Sequence, residues 1–304
     1  MFFVVMTVLD LFTRLYGRLH SERLYYRFLT PSRYVVRSLA NHFLPNYLSK
    51  PHRVTNKVID GLIVSFTSFP ARIDSVWQVV ECLFRQTYLP EKIILWLSKE
   101  QFPSDKNLPE SLRCRLNDRF EIRFVEGDIR SHKKYYYVCK NFPDKYIFLI
   151  DDDIYYHSRI IENTWNAHLQ NHRAVICNYG YHIQVDKGHN IAPYMKWKRV
   201  YIHSDNTNLF FGSGGGTLFH PSMLYQDVLK IDLACRLTPI ADDIWLNAMV
   251  RLQGTSILLL KNRLVLPIEN KGDVKLADQN RIGNKNDEQI DNLNNYYGKN
   301  IFTN

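Results

Sequence analysis

The chain has 304 residues, 45% hydrophobic and 23% charged, with 13 Gly and 12 Pro. That length can bury the core of a large α/β domain, and the composition excludes a disordered, collagen-like or low-complexity chain. The formal charge of +9 sits at one end: residues 1–57 hold nine Lys or Arg against Asp10 and Glu22, and the remainder is only +2, without the basic stripe of a nucleic-acid surface.

Residues 1–57 read as a basic, amphipathic helical extension and linker. Arg14 and Arg18, Arg23 and Arg27, and Arg33 and Arg37 are each four apart, with Leu11, Phe12, Leu15, Tyr16, Leu19 and Leu24 between them. A helix with that spacing sets an apolar face beside a cationic one, as in an interfacial anchor on anionic lipid. The plainer reading is an extension packed on the main domain. The apolar stretch 1–9 is cut short by Asp10 and Arg14, is too short to span a bilayer, and lacks the features of a signal peptide. Pro45, Ser49, Lys50 and Pro51 mark a linker.

From residue 58 strands and helices alternate. GLIVSF (61–66), KIILWL (92–97), FEIRFV (120–125) and YIFLI (146–150) are buried strands. Val76, Val79, Val80, Leu83 and Phe84 have helical spacing within 74–87, with Asp74 or Ser75 as N-cap, and 131–141 is also helical. Beyond 154 the signal weakens. A helix is expected over 160–170, and strands over 174–178, 180–185 and 256–260. A Gly-rich turn at 211–219 leads into a strand, and 239–251 opens a helix with Ala241-Asp242-Asp243-Ile244. This predicts an α/β fold with one Rossmann-like, mostly parallel sheet flanked by helices. Its ligand site lies at the strands' carboxyl ends. The main domain is expected over 58–269, in two halves, 58–153 and 154–269, and a polar, Asn-rich tail occupies 270–304. There is no GxGxxG or Walker A motif. Five scattered cysteines without a CxxC pair argue against a disulfide framework or structural zinc, and fit a reducing cytosol.

The strongest chemical signal is Asp151-Asp152-Asp153, directly after the apolar run 146–150. Adjacent carboxylates raise one another's pKa, and no basic residue follows until Arg159. A divalent cation relieves that repulsion, and hard oxygen ligands select Mg²⁺ or Mn²⁺. Alternation along a strand puts Asp151 and Asp153 on one face and Asp152 on the other. A solvated acidic loop is the bland alternative. Asp242 and Asp243 open a helix, where capping explains one carboxylate and leaves the second unexplained.

VSFTSFPARI (64–73), IILWLS (93–98), KKYYY (133–137), IDDDIYY (150–156), GSGGG (212–216) and ADDIW (241–245) occur in this order. The set resembles GT-A glycosyltransferases, more narrowly bacterial family-2-type enzymes, over residues 58–266. The resemblance implies that Ser65, Thr67 and Arg72 meet the nucleotide, that Lys133 and Lys134 approach it, and that Asp151 and Asp153 are the DxD metal ligands for Mn²⁺ or Mg²⁺, with Asp152 beside the nucleotide-sugar. It places Ser213, Gly214, Gly215 and Trp245 at the sugar and acceptor, makes Asp243 the catalytic base and has Asp242 orient it. Tyr194 and Trp197 are further candidates for sugar stacking, with core packing their default. One departure is plain: the last histidine is His220, so no late histidine metal ligand follows ADDIW, and His182, His189 and His203 have no assigned role. The implied activity of the 58–269 catalytic domain, with 58–153 as its nucleotide-binding half and 154–269 as its acceptor half, is metal-dependent transfer of a sugar from a nucleotide-diphosphate donor to a hydroxyl of a cell-surface or lipid-linked glycan, with inversion favoured and retention open, and with the enzyme cytoplasmic and peripheral on the inner face of the membrane. The rivals are a sugar-phosphate nucleotidyltransferase and a non-enzymatic protein that uses its basic arm on membrane or nucleic acid.

Overall fold

The computed structural model describes residues 7–19, 31–52, 57–186, 190–200, 208–260, 265–269 and 285–303. The expectations for Arg23, Leu24, Arg27, His189 and His203 lie outside the described residues.

Among the described residues two helices come first, α1 (Val8–Arg18) and α2 (Ser32–Leu48). Then follow β1 (Lys57–Thr67), α3 (Val76–Phe84), β2 (Tyr88–Ser98), β3 (Phe120–Val125), α4 (Lys133–Asn141), β4 (Tyr146–Ile150) and the short β5 (Ile154–Tyr155). The second half holds α5 (Ile160–Gln170), β6 (Ala174–Cys177), β7 (Gly180–His182), β8 (Lys198–Arg199), β9 (Leu209–Phe211), β10 (Gly215–Phe219), α6 (Ile231–Leu237), α7 (Asp242–Gln253), β11 (Ser256–Leu259) and β12 (Leu266–Pro267). Helix α8 (Lys285–Tyr297) closes the chain.

The central sheet has seven strands in the order β11-β6-β10-β4-β1-β2-β3. All neighbours are parallel except β10, which is antiparallel to both β4 and β6. The fold is a mixed, Rossmann-like α/β architecture with helices on both faces. The chain winds outward from β1 to β3 and then returns to place β4 on the other side of β1. That reversal opens a crevice at the carboxyl ends of β1 and β4, the usual ligand position in such sheets.

Local differences from the sequence reading have physical causes. Pro45, expected in a linker, lies inside α2, whose inward stripe of apolar residues carries the helix on to Leu48. Strand β1 begins four residues before Gly61, whose φ of 80° accompanies a register shift between Ile59 and Ile63. A bulge of this kind breaks the alternation that marks a strand. The predicted helix 74–87 shrinks to α3. Its proposed cap is absent, because the Ser75 hydroxyl donates back to the Arg72 carbonyl (2.9 Å). Two small antiparallel sheets, β5 with β12 and β8-β7-β9, come from runs too short to show a period. The polar tail contains α8, which buries Ile290 and Leu293, while Ile301 and Phe302 behind it are also buried.

Apolar side chains pack on both faces of the sheet. Leu9 of α1 and Ala40, Leu44 and Leu48 of α2 belong to one of these cores and are fully buried, so the N-terminal helices pack on the main body. Asp10 reinforces that contact, accepting from the Ser158 amide (2.9 Å) and hydroxyl (2.8 Å). Truncating a buried leucine removes transfer energy and leaves a cavity. Leu44→Ala should therefore lower unfolding free energy by about 2–5 kcal/mol in urea titration. The neighbouring exposed Phe43→Ala should change it by about 0.5 kcal/mol or less.

Candidate functional site

Three segments meet at the crevice. The first is the turn after β1. Ser68 donates to Asp152 Oδ2 (2.5 Å), and Arg72 Nη1 lies 3.0 Å from Asp152 Oδ1 and 2.9 Å from Asp153 Oδ2. The second is the acidic stretch after β4, held by Tyr156. Its hydroxyl accepts from the Asp151 amide (2.8 Å) and donates to the Gly214 carbonyl (2.5 Å). The third is the start of α7 with the turn before β10. Ser213 Oγ donates to Asp242 Oδ2 (2.9 Å), and the Ser213 amide donates to Asp243 Oδ1 (2.8 Å).

Lys134 joins the second and third segments. Its ammonium is buried, 2.8 Å from Asp151 Oδ1 and 3.1 Å from Asp242 Oδ2. Burial opposes the charged form, but Asp151, Asp242 and Asp243 together outweigh it, and its pKa rises above the ordinary lysine value. For Asp242 burial acts upward, and the Lys134 ammonium overcomes it to hold the carboxylate low and ionised. His132 is fully buried, and its Nε2 lies 2.7 Å from the Thr238 carbonyl. That contact makes Nε2 the protonated nitrogen, leaving Nδ1 to accept from Tyr135 OH (3.1 Å).

Asp243 is the opposite case. Burial, then the neighbouring charge of Asp242, push its carboxyl up to about 7, against the pull of Lys134. Two adjacent carboxyl groups with pKa values driven apart are a recurrent acid–base arrangement. A base that titrates near neutral pH can both be ionised and accept a proton.

Asp151 and Asp153 are the accessible carboxylates, with side chains 41% and 25% exposed. Five carboxylates, Asp151, Asp152, Asp153, Asp242 and Asp243, face the two cations Arg72 and Lys134. The excess negative charge and hard oxygen donors fit Mg²⁺ or Mn²⁺. Among the described residues no three His, Cys, Asp or Glu side chains form a metal cage. An ion held by Asp151 and Asp153 would have to complete its shell with water or with phosphate oxygens of a substrate, as Mg²⁺ does.

Other expected site residues are placed differently. Ser65 is fully buried. Its hydroxyl donates to the Lys134 carbonyl (2.5 Å) and accepts from Trp96 Nε1 (2.9 Å), so it ties α4 to β1 and does not face the opening. Thr67 donates to the Trp96 carbonyl (2.7 Å). Lys133 turns away from the carboxylates onto Asp128, whose carboxylate also accepts from Gln101 Nε2 (2.7 Å). Trp245 is fully buried with Ile244, Ala248 and Met249, on the core side of α7, and has no surface to offer a sugar. Trp197 is buried, with Tyr194 and Phe210 at ring distances of 4.7 and 5.1 Å. Ser213 is buried too and acts on the two aspartates.

The glycines at 212–215 give the protein's own side chains room. A Cβ at Gly214 would sit 1.7 Å from Asp151 Oδ2, and one at Gly215 would sit 2.2 Å from Tyr179 Cβ. Ser68, His132, Tyr156 and Tyr179 join the site without having been expected there. Ser68 lies within VSFTSFPARI, Tyr156 closes IDDDIYY and His132 directly precedes KKYYY, and that membership or adjacency was the only signal available.

No protein-family model matches the chain, and no curated protein matches it. Among solved structures, HddC from Yersinia pseudotuberculosis is similar at a TM-score of 0.34 and 13% identity, covering 56% of this chain and 78% of that one. A likeness that distant assigns no activity.

With a folded-state pKa of about 7 against an ordinary carboxylate value of about 3.9, Asp243 binds its proton more tightly folded than unfolded. Its contribution to stability therefore falls as pH rises from about 4 through 7. Asp243→Asn should raise the melting temperature at pH 8, with the gap closing near pH 5, as read by circular dichroism. Gly214→Ala should displace the Asp151 carboxylate, and the collision should lower the melting temperature by several degrees.

Proposed function

We propose that the chain is a metal-dependent glycosyltransferase of the GT-A type that transfers a sugar from a nucleotide-diphosphate donor to a hydroxyl acceptor. The observation that carries this reading is the meeting of two acidic pairs across Lys134 at the crevice of the sheet. One pair is accessible and fit for a hard cation; the other includes a carboxyl tuned to about 7. A nucleotidyltransferase would need the first pair and leaves Asp243 without a task.

In this reading Asp243 takes the proton from the acceptor hydroxyl as that oxygen bonds the anomeric carbon. The bond from that carbon to the diphosphate oxygen breaks, and the electron pair leaves with the diphosphate. Attack and departure on opposite sides invert the anomeric centre. Asp242, held by Lys134 and Ser213, stays ionised and keeps the Asp243 pKa high. Arg72 holds Asp152 and Asp153 in place and in this reading also offers a cation to a phosphate oxygen. A Mg²⁺ or Mn²⁺ held by Asp151 and Asp153 would offset charge on the departing diphosphate. The acceptor we infer is a growing cell-surface glycan, met at the inner face of the membrane.

Two measurements test the reading. Titration calorimetry with UDP and GDP should show binding that requires Mn²⁺ and is lost in Asp153→Ala; binding unaffected by chelator or by that substitution contradicts it. Screening nucleotide-sugars by release of the diphosphate should find a donor whose turnover rises with pH through about 7. Asp243→Asn should cut that turnover about a hundredfold or more while leaving donor affinity in place. Retained turnover would remove Asp243 as the base.

A further inference from the structure

The N-terminal helices each carry two apolar stripes, and only one stripe of each is used by the fold. On α2 the inner stripe is Val36, Ala40, Leu44 and Leu48, all buried. At about 100° per residue, Val35, Leu39 and Phe43 fall away from that stripe. They stand 59%, 44% and 52% exposed. On α1, Leu9 and Tyr16 face inward, while Val8, Leu11 and Leu15 face outward and are 41–47% exposed. With Tyr34, these make seven of the fourteen exposed large apolar side chains among the described residues. The other seven are spread through the rest of the described chain, from Val58 to Tyr296.

The exposed charge of the two helices themselves has one sign. The sole acidic residue of the two helices, Asp10, is 3% exposed and turned inward onto Ser158. Arg18 and Lys50 are exposed. Arg33 lies 4.9 Å from the Tyr34 ring, and Arg37 pairs with Glu269 at the edge of the patch. The sequence joining the helices adds Arg23 and Arg27 against Glu22 alone.

We propose that the outer face of α1 and α2 docks on an anionic lipid bilayer, with Leu11, Leu15, Leu39 and Phe43 entering the interface and the arginines meeting lipid phosphates. No described helix is long and apolar enough to cross a membrane, so the contact is with its surface. A second copy of the chain fits this face poorly. A two-fold contact would bring the arginines of one copy up to the same cationic face of the other, with no exposed carboxylate on the helices to answer them. This proposal stands apart from the reaction proposed above and survives if that reading fails.

The test is flotation of the full chain with phosphatidylcholine vesicles, with and without phosphatidylglycerol. Wild type should float with the anionic vesicles, more weakly as salt rises, and stay behind with neutral ones. Leu39→Glu with Phe43→Glu, and separately Leu11→Glu with Leu15→Glu, should each reduce flotation at least tenfold while melting as wild type does. Because the two double variants alter different helices, misfolding of one leaves the other to decide. Unchanged flotation in a folded variant overturns the proposal, and so does failure of the wild type to float. A wild-type dimer in light scattering that these substitutions dissociate would give the face to a second copy and overturn it equally.

Discussion

A single buried ammonium holds the two halves of the site together. Lys134 lies between the end of β4 and the start of α7. Asp151 and Asp242 are far apart in the chain, and they approach because the same cation answers both. Two carboxylates drawn this close without it would repel, and removing one member of a buried ion pair strands the other's charge. The arrangement also sorts the acids. Asp242 touches Lys134 and stays ionised, whereas Asp243, one residue on, is pushed up to about 7 by burial and then by the charge of Asp242, against the pull of Lys134. One lysine thus fixes the site's geometry and divides the roles of two adjacent aspartates.

The short stretch from Asp151 to Ser158 connects that site to the N-terminal helices. At one end lie the acidic residues. Tyr156 then ties them to the Gly214 carbonyl, and Tyr155 donates to Gln78 Oε1 on α3 (2.6 Å). At the other end Ser158 grips Asp10 of α1. The basic helices are therefore built onto the segment that carries the candidate ligands. Their inward faces belong to the core, while their outward faces remain apolar and free of exposed acid. A surface contact there would hold the crevice at a set orientation to the membrane, which suits an acceptor presented from it.

The sheet was legible where its strands are short apolar runs bounded by polar residues, as at 146–150 before the aspartates. Strand order was not, because the antiparallel β10 arises from a Gly-rich stretch with no period of its own. Within the site, Asp151 to Asp153 and Asp242-Asp243 stood out because adjacent acids need a reason. The division between Lys133 and Lys134 stayed hidden: successive helical residues point about 100° apart, so one meets Asp151 and the other Asp128. The resemblance implied ligand contacts for Trp245 and Ser65, but the phase of α7 and the burial of β1 turn both inward. Tyr156 closes the IDDDIYY motif, but its role stayed hidden, since it depends on a turn that returns the chain past its own strand end.

Everything proposed for the reaction requires the accessible carboxylates at the end of β4 to share a hard cation with a nucleotide diphosphate. Anomalous scattering from crystals grown with Mn²⁺ and a nucleoside diphosphate measures this directly. The account predicts a manganese peak bounded by Asp151, Asp153 and the phosphates. A peak elsewhere, or a nucleotide bound in the crevice with its phosphates on Arg72 and Lys134 and no manganese beside them, would contradict it.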